Sequence, residues 1–95
     1  MTPQELLMVM PKLFEDSGFT FRFYAADLDE PIHVHIEKDN FVAKFWVEPI
    51  VCATDGGFSQ REIRRITQII VARQHEIVNK WHEMEERRRN AGRSR

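Results

Sequence analysis

The residues best suited to chemistry are His33 and His35. They stand two apart in the segment Glu30-Pro31-Ile32-His33-Val34-His35-Ile36-Glu37-Lys38. Ile32, Val34 and Ile36 alternate there with His33, His35 and Glu37. A period of two marks a half-buried strand, so both imidazoles leave one face, about 7 Å apart along the strand. Such a pair suits general acid–base work, as in a metal-independent nuclease, and makes His33 and His35 the candidate catalytic residues. It also suits zinc, but a zinc site needs a third ligand and only Glu37 lies at a near spacing. His75 and His82 fall on a helix flank, about 100–120° from its apolar stripe. The sequence is therefore read as having no metal site and no cofactor. No Ser or Cys sits in a nucleophile motif, and no Gly-rich loop could cradle a phosphate.

The elements that position the pair follow from the patterning around it. Phe19, Phe21, Phe23 and Ala25 alternate with Thr20, Arg22 and Tyr24, which predicts a strand after the Asp16-Ser17-Gly18 turn. Phe41, Ala43, Phe45 and Val47 alternate with Val42, Lys44, Trp46 and Glu48, a second strand joined to the histidine strand by a tight Asp39-Asn40 turn. Pro11 to Phe14 reads as a short extended piece. Ile50 to Ala53 reads as an edge strand, where the preceding Pro49 is tolerated. Thr2-Pro3-Gln4-Glu5 carries the marks of a short helix start.

After Thr54-Asp55-Gly56-Gly57 the period changes to 3.6. Ser59-Gln60-Arg61-Glu62 is a capping box, with Phe58 and Ile63 placed as a hydrophobic staple. Ile63, Ile66, Ile70, Ile77, Trp81 and Met84 share one helical face. One helix is predicted to about Glu86, about 40 Å long at 1.5 Å per residue. Arg87, Arg88 and Arg89 complement its negative end. The expected fold is α+β: a three- to four-stranded antiparallel sheet packed on one face by a long C-terminal helix. Residues 1–9 read as an N-terminal extension, 10–86 as a single domain and 87–95 as a basic tail.

One helix covers only one side of such a sheet. If the Phe-bearing side packs on it, the other side presents Arg22, Tyr24, His33, His35, Lys44 and Trp46. Aromatics interleaved with cations stack bases and hold phosphates. They also make protein hot spots, and an ordinary solvated face is the plain alternative. Arg61, Arg64 and Arg65 oppose the helix dipole at its start. They are the candidates for binding an anion or a nucleic acid, against a solvated basic turn neutralised by Glu62.

Bulk properties narrow the class. The chain has 95 residues and a net charge of −1, enough for one domain. Residues 1–50 carry four Lys/Arg and nine Asp/Glu, a balance of −5; residues 51–95 carry ten and six, a balance of +4. The single cysteine, Cys52, excludes an internal disulfide and fits a reducing cytosol. No apolar run approaches the roughly 18 residues of a membrane span, and no secretion signal opens the chain.

Pro31-x-His33-x-His35, Ala43-Lys44-Phe45-Trp46, Phe58-Ser59-x-Arg61-Glu62-x-Arg64 and Asn79-Lys80-Trp81 together resemble a family of small bacterial proteins, domain of unknown function 4160. The resemblance covers about residues 10–84. Its members are commonly encoded beside another small protein, an arrangement similar to toxin–antitoxin pairs. The resemblance therefore implies a protein partner and brings no catalytic residues. The reading is a small cytoplasmic interaction module that binds a partner protein. A small RNA-acting nuclease using the His pair, or a nucleic-acid-binding module, is the alternative. Self-association stays open, and no membrane is involved.

Overall fold

The computed structural model describes residues 12–24 and 28–93. The helix start expected at Thr2 and the inward Ala25 lie outside these residues. Five strands follow in chain order: β1 (Lys12–Asp16), β2 (Phe19–Arg22), β3 (His33–Lys38), β4 (Phe41–Val47) and β5 (Ile50–Thr54). Among the described residues two helices follow, α1 (Gln60–Ala72) and α2 (Gln74–Arg93). The strands form one antiparallel meander in the order β1-β2-β3-β4-β5. The turns behave as their residues dictate. Ser17 and Gly18 both take left-handed backbone between β1 and β2, and Asp39 does so between β3 and β4; Gly and Asp bear that conformation better than most residues.

Register sorts the side chains into two faces. Phe14 lies opposite Phe21, Phe21 opposite Ile36, and Ile36 opposite Ala43. Val34 lies opposite Phe45, and Phe45 opposite Cys52. These residues face the helices. Ile66, Ile69 and Ile70 of α1 and Ile77, Trp81 and Met84 of α2 are buried with them in one core that also takes in Phe19, Phe23, Val47 and Phe58. Ring contacts fix the corners: Phe23 meets Trp81 edge to face at 5.0 Å, and Phe58 packs on Phe19 and Phe41. The sequence-derived stripe is the buried stripe, with Ile63 half-buried at its start.

Three expectations are corrected. The sheet has five strands, not three or four. β1 escapes the pattern because Lys-Leu-Phe-Glu-Asp does not alternate, and its register with β2 shifts between Lys12 and Phe14. The single long helix is two, parted at Arg73. There the Arg73 N–H is shared between the Ile69 and Ile70 carbonyls. Its guanidinium lies 3.6 Å from the Phe14 ring centroid and pairs with Asp16 and Glu76. The Gln74 amide next to it donates to the Val47 carbonyl at 2.7 Å. An interruption this short keeps Ile70 and Ile77 seven apart on one stripe, so the apolar period does not record it. The second helix also continues past Glu86 to Arg93, since Glu and Arg are good helix formers and no breaker comes before Gly92.

The capping box is formed: Ser59 accepts from the Glu62 N–H, and the Glu62 carboxylate accepts from the Ser59 N–H. The preceding loop passes close to β4. Gly56 has φ +62°, and a Cβ there would stand 1.9 Å from the Val42 carbonyl oxygen. Gly56→Ala is expected to destabilise the protein by at least about 1–2 kcal/mol from the left-handed backbone alone. An unchanged urea midpoint would show that the loop is not held against β4.

Candidate functional site

The second face of the sheet is built in rows that cross the strands. Arg22, His35, Lys44 and Thr54 are successive cross-strand partners. His33, Trp46 and Val51 form the next row. Thr20, Glu37 and Val42 form the row on the other side. Both helices bury their apolar stripes on the opposite face. The register thus brings together Arg22, His33, His35, Lys44 and Trp46 of the six residues expected on this surface, and Tyr24 joins them through its ring contact with His35.

Their contacts form a continuous network. The Tyr24 ring stacks on His35 at 4.1 Å, and its hydroxyl donates to Glu37 at 2.7 Å. Glu37 also stands 3.1 Å from the Arg22 Nε. This second contact is an ion pair without hydrogen-bond alignment, and among the described residues the buried Nε–H has no other acceptor. Lys44 donates to Glu30 at 2.7 Å, with its ammonium 4.5 Å from the Trp46 ring centroid. The same Glu30 oxygen lies 3.7 Å from the His33 Nδ1. That Nδ1 is 2.9 Å from the Pro31 carbonyl; a carbonyl only accepts, so Nδ1 carries the proton.

His33 departs from the expectation of an open histidine pair. It is 1% exposed. Its ring meets Trp46 at 5.6 Å, Trp81 at 5.4 Å and His35 at 5.2 Å, all edge to face. The cause lies in α2, which carries Trp81 to the end of the sheet where β3 begins. An acid–base pair needs both groups within reach of one substrate, and burial withdraws His33 from that reach. Trp46 and His35 are half-buried, and Tyr24 is exposed.

Among the described residues, no group of three His, Cys, Asp or Glu side chains converges as a metal site would. His82 is exposed on α2 and pairs with Glu85. Cys52 is half-buried, and burial first, then the charge of Asp55, pushes its thiol pKa up, away from a reactive thiolate. Arg61, Arg64 and Arg65 lie on α1, all exposed. Arg65 reaches back to the Ser17 hydroxyl at 2.8 Å, at the far end of the sheet from His33. They are not part of the aromatic face.

Glu30 and Glu37 join the site beyond the six residues expected from the sequence. Glu37 carried a signal, because it shares the parity of His33 and His35. Glu30 lay in an acidic loop, and only the fold turns it toward Lys44.

The family model described as Domain of unknown function (DUF4160) matches residues 18–82. The chain belongs to this family. The DUF4160 match takes in β2 to β5, α1 and α2 as far as His82, and leaves β1 outside. Every residue of the network on the sheet, and Trp81 beneath it, lies within the matched span. No curated protein and no solved structure matches the chain.

The network and the core should respond differently to substitution. Trp81→Ala is expected to cost about 3–5 kcal/mol. Glu37→Gln weakens a part-exposed ion pair and should cost less than about 1 kcal/mol. Urea unfolding of both variants checks this, and equal losses would mean that the outer face is core.

Proposed function

We propose that this DUF4160 chain is a small cytosolic interaction module that docks a partner protein on the outer face of its sheet. We read it as one component of a toxin–antitoxin-like pair, as the gene arrangement common in the family implies. One observation carries the reading. The face bears Tyr24 (37% exposed), Val42 (43%) and Val51 (49%) around half-buried Trp46, while the helices pack on the other side. Apolar groups set among ion-paired polar ones are the makings of a docking surface. Covering them would gain about 25 cal/mol per Å² of apolar area.

Charge favours a protein over a nucleic acid on this face. Arg22 is balanced by Glu37, and Lys44 by Glu30. Phosphates would have to displace carboxylates already in place, and nucleic-acid affinity rests largely on phosphate neutralisation. A protein partner can cover neutral pairs without breaking them.

The test is a pull-down from a lysate of the native host at low salt, with and without nuclease, followed by mass spectrometry. One protein, encoded beside this chain, is expected in both arms. Tyr24→Ala and Trp46→Ala should abolish its recovery, and Arg61→Ala with Arg64→Ala should leave it unchanged. Recovery that vanishes with nuclease, or that needs the arginines and not the rings, would contradict the reading.

A further inference from the structure

The two edges of the sheet are guarded differently. β1 closes one edge with Lys12, Glu15 and Asp16, three charges in five residues. β5 closes the other with Ile-Val-Cys-Ala-Thr, and it carries no charge. Edge strands present unpaired backbone groups, and charges along them are one protection against further pairing. Among the described residues, no strand lies beyond β5. We propose that the outer edge of β5 takes up an extended, basic-flanked segment of the partner protein as a sixth strand. This rests on the reading that the chain binds a protein, and adds how the partner is held.

The flanks of β5 select the occupant. Glu48 stands in the turn before it, two residues from Ile50, and Asp55 follows it directly; both are exposed, and Asp55 also accepts from the Gly57 N–H. In an antiparallel pairing of two copies, Glu48 of one strand would come near Asp55 of the other at both ends. Like charges facing across strands destabilise the pair, so the edge disfavours its own copy. A segment with an uncharged β-branched centre and Lys or Arg at each end turns both repulsions into attractions. Backbone bonds would supply affinity, and side chains pointing to the outer face would supply specificity. That face offers exposed Val51 beside Trp46, its partner across β4. The register shift between Lys44 and Phe45 bulges β5 near Ala53 and leaves Ile50 to Cys52 as the regular stretch. The seat is therefore short, which suits a single inserted strand and resists open-ended stacking.

The experiment uses the full chain, isotope-labelled for NMR, and two synthetic decapeptides. Each has a Thr-Val-Thr-Val-Thr-Val centre, flanked on both sides by two Lys in one and two Glu in the other. The Lys-flanked peptide is expected to slow amide hydrogen exchange along β5 at least about threefold more than the Glu-flanked one. Ala53→Lys should remove the protection by placing a like charge on the strand. Tyr24→Ala, three strands away, should keep it even where it abolishes partner capture, so the edge and the face can fail separately. Protection of β1 instead, equal effects of both peptides, or no effect of either would overturn the proposal. Protection of β5 that rises with protein concentration in the absence of peptide would also overturn it, because the occupant would then be a second copy.

Discussion

His33 sits between two indoles, Trp81 from the helix side and Trp46 from the outer side, and the arrangement of the domain hangs on that sandwich. Trp81 also closes the core against Phe23. An imidazole tolerates this position because its Nδ1–H has the Pro31 carbonyl to donate to, and a buried donor left unpaired would cost about 1–3 kcal/mol. From His33 the order passes outward to His35, to the Tyr24 ring, and through Glu30 to Lys44. The outer face is thus not a loose set of surface side chains. Its rings are held from beneath by the hydrophobic core.

Preorganisation has an energetic meaning for binding. Ordering a rotamer-rich side chain on association costs about 0.5–1.5 kcal/mol, and the rings here are already in contact with one another. The two carboxylates matter in the same way. Half-exposed ion pairs add little to folding, yet they fix Arg22, Tyr24 and Lys44 in one geometry and leave the face close to neutral. A neutral, ordered, partly apolar surface can be covered at low desolvation cost, whereas isolated buried charges could not.

Much of this was legible in the sequence, and for a physical reason. Strand parity alone assigns Arg22, His35, Lys44 and Trp46 to one face and Phe21, Val34, Ile36 and Phe45 to the other. The capping box at Ser59 and the stripe from Ile66 to Met84 are local patterns, so they too could be read. Of what escaped, β1 has no alternation of its own and becomes a strand by pairing locally with β2. The rest depends on contacts far apart in the chain. The break at Arg73 is set by Phe14, Asp16 and Val47, between about 25 and 60 residues earlier in the chain, separations beyond the reach of any local period. The burial of His33 required knowing that Trp81 ends its turn beside it. Parity gave the imidazole its row and left open how deeply it sinks.

Hydroxyl-radical footprinting of the chain, free and mixed with the partner protein proposed for it, tests the central claim most directly, because it reads side chains and not backbone. Oxidation of Tyr24, Trp46, Val42 and Val51 is expected to fall on binding, with exposed Val71 and His75 on the helices unchanged. Protection confined to the helices, with Tyr24 and Trp46 oxidised as in the free chain, would contradict the assignment of the outer sheet face as the docking surface.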